Sequence, residues 1–340
     1  MKRTVCFGEI MLRLNPPGYL RIKQANSFEA SFAGGEANVA VSLANYGMEA
    51  AFVTRLPDND LTTAALRTLR GYGVDVSHVC LGGERMGTYF VEKGASQRPS
   101  KVIYDRKYSA IATAASGDFD WDAIFSGADW FHFTGITPAL SDGAAELCLE
   151  ACCAAKARGV KVSCDLNYRG NLWSSEKAGQ VMGGMMSYVD VCIANEEDAE
   201  KVFGIKPQDN NVQAGKINAD GYREVAQSIC RQFGCTQVAI TLRQSLSADN
   251  NNWSAMLYQD GKAYFAKTYA MHIVDRVGGG DSFGGGLIYA LLSGREPQDA
   301  IEFATAASCL KHSIPFDFNQ VTVKEVESLM GGDASGRVKR

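Results

Sequence analysis

The residues with the plainest chemistry are Gly278, Gly279, Gly280 and Asp281. An apolar lead-in, His272 to Val277, stops at the three glycines, and the run from Phe283 to Leu292 predicts a helix that Gly294 ends. Glycines let a backbone turn with positive φ and let a ligand come close. The first N–H groups of the helix, which lack intrahelical partners, would face that ligand. Phosphate suits such a site. Asp281 narrows the reading, because a carboxylate there would repel phosphate unless its task is to take a proton from the attacking hydroxyl. A glycine hinge followed by an acidic first turn is the plainer alternative. Two common phosphate motifs are excluded: the third glycine of a dinucleotide fingerprint would fall at Phe283, and no Gly-Lys-Ser/Thr follows.

Five other stretches carry groups that could complete such a site. Gly34 and Gly35 precede a small-residue helix containing Asn38 and closing at Gly47; a tight strand-to-helix joint would look the same. Tyr104, Arg106 and Lys107 form a basic, aromatic cluster. Asp165-Leu166-Asn167-Tyr168-Arg169 follows a strand-like run, the place where site residues of an open α/β sheet gather. Phe133-Thr134-Gly135-Ile136-Thr137-Pro138 is another strand end, or simply a Gly/Pro turn. Asn195-Glu196-Glu197-Asp198 is acidic at a helix start, which the helix dipole alone would favour.

The elements that must position these residues follow from apolar periodicity. Thr4 to Gly8 and Ala51 to Thr54 read as buried strands, and Asp60 to Tyr72 as a helix. Met11 to Leu14 and Tyr19 to Lys23 read as half-exposed strands, because polar and apolar residues alternate. Tyr89 to Val91 and Val102 to Tyr104 form a hairpin-like pair. From Trp130 to about 310 apolar runs, including Val160 to Cys164, Val189 to Ala194, Val238 to Leu242 and Ala255 to Tyr258, alternate with helical stretches. That is the pattern of βα units on a parallel sheet. Lys206 to Tyr222 is expected to be a polar insertion, Asp249 to Asn252 a turn, and 331–340 a flexible tail.

Composition bounds the partners. The 340 residues are 46% hydrophobic and 21% charged, with a formal net charge of -4, which argues against nucleic acid and membrane surfaces. An acidic small substrate would then need a local basic pocket. The ten cysteines include no CxxC spacing and suit a reducing compartment. The chain begins without an apolar leader and has no run of about 20 apolar residues, so a cytoplasmic location is expected.

The GGGD loop with its glycine-rich helix resembles the GAGD signature of the ribokinase-like (PfkB) carbohydrate kinases, with Gly279 in place of the usual alanine. GGEANVA at 34–40 is similar to that family's N-terminal signature. The YxR, DxNxR and GITPAL segments resemble those of its 2-keto-3-deoxygluconate kinase branch. The resemblance implies a central, mostly parallel sheet flanked by helices, in a single domain over 1–330. A small β lid would come from about 11–30 and 88–110, and copies would pair through it into a homo-oligomer. It implies Asp281 as catalytic base, Gly278, Gly279 and Gly280 as the anion hole, and Gly34, Gly35, Asn38, Tyr89, Tyr104, Arg106, Ile136 and Arg169 around the sugar. Asn195 and Arg243 would meet the nucleotide and Asp198 would help organise Mg2+, although Glu is usual at that place. Two further departures stand out: Gln244 to Ala248 where many members have a lysine and a glycine-rich turn, and Arg276 where threonine is common.

The implied activity is ATP- and Mg2+-dependent phosphorylation of a sugar acid, foremost the terminal hydroxyl of 2-keto-3-deoxygluconate. Two arginines agree with this physically, because a guanidinium fork suits a planar carboxylate. A fructokinase- or ribokinase-like enzyme and a catalytically silent sugar sensor are the alternatives.

Overall fold

The computed structural model describes residues 2–195, 197–206 and 219–333. In chain order the strands are β1 (Arg3–Phe7), β2 (Met11–Asn15), β3 (Glu29–Ala33), β4 (Glu49–Val53), the short pair β5 (Arg55–Leu56) and β6 (Cys80–Leu81), β7 (Gly87–Glu92), β8 (Lys101–Asp105), β9 (Trp130–Thr134), β10 (Lys161–Asp165), β11 (Val191–Asn195), β12 (Gln237–Ser245), β13 (Asn250–Gln259), β14 (Lys262–Phe265) and β15 (Tyr269–His272). The helices are α1 (Gly35–Asn45), α2 (Asp60–Gly71), α3 (Trp121–Ile124), α4 (Asp142–Ala157), α5 (Ser175–Met186), α6 (Asp198–Phe203), α7 (Ala219–Phe233), α8 (Gly279–Leu292), α9 (Pro297–Lys311) and α10 (Val323–Met330).

The large sheet runs β14-β13-β12-β11-β10-β9-β1-β4, with β15 pairing β13, and is parallel from β12 to β4. Side chains alternate across it. Val5, Phe7, Phe131 and Phe133 enter the core on one face, while Cys6 and Trp130 enter the other beneath α1, α8 and α9. Each fully buried phenylalanine contributes about 2–3 kcal/mol of transfer free energy. Parallel pairing also brings the C-terminal ends of β1, β9, β10, β11 and β12 to one edge.

A separate sheet, β3-β2-β7-β8, stands beside this edge. Its second strand departs from the expected Tyr19 to Lys23. Pro16, Pro17 and Gly18 break the chain there, Ile22–Gln24 is a 3₁₀ turn, and β2 pairs with β3 instead. In β2 the expected alternation holds but its sense is inverted: Met11, Arg13 and Asn15 are the buried set, and Leu12 and Leu14 face outward. The run Ala255 to Tyr258 also differs from expectation. It lies in antiparallel β13, because the link from β12 is far too short for a helical crossover. Asn250 already belongs to that strand, so the turn expected at Asp249 to Asn252 falls a few residues earlier. Most of the insertion expected at Lys206 to Tyr222, and 334–340 of the tail, lie outside the described residues; α7 begins at Ala219.

Candidate active site

Helices α2, α4, α5 and α10 are capped by the side chains of Asn59, Ser141, Ser174 and Thr322. Helices α1 and α8 are not. Gly34 and Gly278 stand at their N-caps without a side-chain acceptor, and in α8 Gly279 N donates instead to the Arg276 carbonyl at 3.3 Å. Gly278 has φ +82° and abuts the Asp317 backbone, which restricts the position to glycine. Gly34 fits against the Glu9 carbonyl, where a side chain would collide. The two N-termini converge: a Cβ at Gly35 would lie 3.6 Å from Oδ1 of Asp281.

Between these helix ends and the second sheet lies a cleft of about 360 Å³. It brings together Gly34, Gly35, Asn38, Tyr89, Tyr104, Arg106, Ile136, Arg169, Asn195, Asp198, Arg243, Gly278, Gly280 and Asp281. Gly279 is the one residue singled out that does not line it. It is buried, and a Cβ there would enter the His312 ring, 2.6 Å from Nε2. The glycine at this position thus answers to the imidazole packed against it.

Asp281 sits in the first turn of α8, and its Oδ2 accepts a 2.6 Å hydrogen bond from Asn38 Nδ2. Burial lifts its pKa to about 6; the Asn38 bond opposes that rise, Asp317 adds to it, and Arg169 and Lys311 oppose it. The group is therefore ionised at neutral pH while its affinity for a proton is raised. Arg169 follows Asn167, which adopts φ +39° at the end of β10. Its guanidinium donates to the Tyr168 carbonyl and carries positive charge toward Asp165, Asp198 and Asp281.

Arg106 is buried and already engaged. Its Nε donates to Glu9 Oε2 at 2.8 Å, Nη2 bonds to the same oxygen, and Ser109 Oγ donates to Glu9 Oε1 at 2.5 Å. Its hydrogen bonds are made through Nε and Nη2, and the guanidinium lies over the Tyr104 ring. Tyr89 stacks on Tyr104, with ring centroids 5.9 Å apart, and its hydroxyl donates to Asp317 Oδ1 at 2.5 Å. Both Asp198 oxygens accept backbone bonds, from Tyr168 N at 3.2 Å and Asn195 N at 3.0 Å, so the carboxylate staples two strand ends together. Burial raises its pKa.

Sequence reasoning missed the supports of this site. Arg13 is fully buried between Asp275, at 2.5 Å, and Asp317. Glu36 Oε1 accepts from Thr134 N, Thr134 Oγ1 and Thr137 Oγ1 at 3.0, 2.8 and 2.7 Å, tying the start of α1 to the Gly135-Ile136 turn. Burial raises its pKa to about 7. A carboxylate directly after two glycines was the available signal for Glu36. For Asp317 the sequence offered none.

A cleft whose convergent glycine turns carry a carboxylate at one uncapped helix defines a phosphotransferase type of site. The pfkB family carbohydrate kinase profile matches residues 1–313. Similar proteins include the 2-dehydro-3-deoxygalactonokinase of Haloferax volcanii, 33% identical over 97% of both chains. The 2-dehydro-3-deoxygluconokinase of Thermoproteus tenax is 31% identical over 97% of this chain and 94% of its own. The crystal structure of 2-dehydro-3-deoxygluconokinase from Thermotoga maritima superposes with a TM-score of 0.94 at 50% identity, covering 98% of this chain and all of that one. The chain belongs to the pfkB family of carbohydrate kinases, and its fold is ribokinase-like.

Proposed function

We propose that the protein transfers the γ-phosphoryl group of ATP to the terminal hydroxyl of a 2-keto-3-deoxy sugar acid, with 2-keto-3-deoxygluconate foremost. As a pfkB member it is an ATP-dependent carbohydrate kinase. One observation carries the assignment of the reaction: Asp281, held by Asn38, sits in the first turn of a helix whose N-cap, Gly278, offers no side-chain acceptor and which faces the cleft. The relatives named for 2-dehydro-3-deoxy sugar acids support the substrate class.

In this reading Asp281 accepts the hydroxyl proton as the oxygen attacks. The N–H groups of the first turn of α8 meet the charge that develops on the phosphoryl oxygens, in a site already oriented for it. Gly34, Gly35, Asn38 and Ile136 shape the sugar pocket. The free edge of Arg106 takes the sugar carboxylate, with Tyr89 and Tyr104 alongside, and Arg169 orients the substrate toward the phosphate. Asn195 and Arg243 meet the nucleotide.

Mg2+ fits the residues present. The buried Asp165 is pushed well above the usual carboxylate range by burial and by the charges of Asp198 and Asp281, a repulsion that a cation would relieve. Among the described residues no group of three or more His, Cys, Asp or Glu could hold a metal by itself. Mg2+ commonly takes one or two carboxylates, waters and phosphate oxygens. Asp165 and Asp198 would hold it, Asp198 through water because its oxygens are bonded, and the ion would neutralise phosphate charge.

We assign residues 1–330 to one catalytic unit in which the β3-β2-β7-β8 sheet is the lid. Its outward face carries Leu14, Phe90 and Ile103, and we propose that two copies meet there. All ten cysteines are free thiols, which suits a cytoplasmic setting. Among the described residues no helix is long and apolar enough to cross a membrane.

The test is ADP release with ATP and Mg2+ against 2-keto-3-deoxygluconate, 2-keto-3-deoxygalactonate, gluconate, fructose and ribose. Turnover confined to the deoxy keto acids is expected. Turnover with neutral sugars alone would remove the carboxylate role of Arg106, and silence across the panel would remove the proposed substrate and favour a catalytically silent sugar sensor.

A further inference from the structure

We infer that Arg276 and Arg243 form a two-guanidinium clamp for the polyphosphate chain of the nucleotide, Arg276 being a binding residue held against the glycine loop by the hairpin between β12 and β13. The inference rests on the proposed kinase reaction and adds a phosphate contact to it.

Both side chains line the cleft, Arg243 from the end of β12 and Arg276 two residues before Gly278. Among the described residues neither takes part in an ion pair. The nearest carboxylate to Arg276 in sequence, Asp275, is committed elsewhere: Oδ2 to Arg13 Nη2 at 2.5 Å and Phe316 N at 3.1 Å, Oδ1 to Val277 N at 3.1 Å. Arg276 is half-buried, and its Nε is buried without a hydrogen-bond partner. Burial, and then the positive field of Arg243, lower its pKa, while Asp275 acts in the opposite sense. Two like charges sharing a partly desolvated cleft are unfavourable unless an anion lies with them. Guanidinium forks match phosphate oxygens better than any other common anion receptor in proteins.

The anchoring of Arg276 ties together two features that had no connection in the sequence. Its Nη2 donates to the Ala248 carbonyl at 2.7 Å. Ala248 closes the Gln244 to Ala248 stretch at the turn between β12 and β13. The same hairpin is braced from the other side, since Ala248 N donates to the Ser96 carbonyl at 2.8 Å and Ile273 N to the Asp249 carbonyl at 2.7 Å. The guanidinium is therefore delivered from the residues just before the glycine loop and fixed by the backbone of the β12–β13 turn.

The test is calorimetric titration of ADP, inorganic tripolyphosphate and adenosine into the whole protein without sugar. Arg276→Gln should weaken ADP and tripolyphosphate roughly 10- to 100-fold, the range of a charged hydrogen bond, and leave adenosine unchanged. Arg276→Lys should fall between, keeping the charge but losing the fork. Arg276→Gln with wild-type affinity for ADP and tripolyphosphate overturns the clamp. If that variant fails to fold once the Ala248 anchor is lost, Arg243→Gln, on an exposed side chain, answers the same question, and unchanged affinity there overturns it equally. Wild-type protein that binds no ADP overturns clamp and kinase reading together. Wild-type protein that binds ADP but phosphorylates none of the sugar acids overturns only the proposed substrate, and the clamp is then supported by the loss in Arg276→Gln.

Discussion

Asn38 Nδ2 lies 2.6 Å from Asp281 Oδ2, joining the first turns of α1 and α8 across 243 residues of sequence. The carboxamide donates to the ionised carboxylate and so opposes the burial that would otherwise protonate it. It also holds the carboxylate at the junction of α1 and α8.

Replacing Asp281 by Asn keeps the shape and removes the proposed base. Turnover should fall by about 10²- to 10⁴-fold, the usual contribution of a positioned base, while the KM for the sugar acid stays within a few-fold. Steady-state kinetics decide it; near-normal kcat would remove Asp281 from the role.

The wild-type pH profile should show an acid limb near pH 6, because only the ionised carboxylate accepts a proton and burial sets its pKa there. Asn38→Ala removes a bond that favours the charged form, so the pKa rises and the limb moves to higher pH. At pH 6 turnover should drop about fivefold if the lost bond is worth about 1.4 kcal/mol, with less effect at pH 8. A limb that stays in place in the variant would show that Asn38 does not tune the base.

Arg13 bridges Asp275 and Asp317, and Tyr89 donates to the far oxygen of Asp317. The group joins the second sheet to the loop before α8 and is cut off from water, so removing one member leaves buried charge uncompensated. Arg13→Met should cost about 3–5 kcal/mol in urea unfolding. A loss below about 1 kcal/mol would mean that the network is solvated.

Gly279→Ala places a methyl group against the His312 ring, which is itself held with Nδ1 2.7 Å from the Ser308 carbonyl. Overpacking there should cost about 1–3 kcal/mol and lower turnover by shifting the turn that carries Gly280 and Asp281. The same substitution in a His312→Ala background should cost far less. Equal losses in both backgrounds would place the strain elsewhere.

The local signals proved sufficient where backbone conformation alone sets the turn. Glycine runs before small-residue helices announced both turns, and Asp281 stood out because a carboxylate is anomalous beside a phosphate site. Arg106 was legible as a cation near a sugar-acid pocket, but not as a cation already shared with Glu9, because that pairing spans the chain from the end of β1 to the end of β8. Arg13 was missed for a sharper reason. Alternation in β2 tells which residues share a face, yet not which face is buried, and the packing of the second sheet over the cleft put the polar face inward.

By itself the sequence determined most of the strand and helix pattern and the glycine turns, and it singled out Asp281, because these follow from periodicity and from the steric freedom of single residues. Only the tertiary structure decided which groups those residues answer to: Asn38 for Asp281, Glu9 for Arg106, His312 for Gly279, and Ala248 for Arg276. Each of these is a contact between segments distant in the chain. Hydrogen bonds and close packing depend on separations of a few ångströms, which are set when the sheet brings its strand ends to one edge.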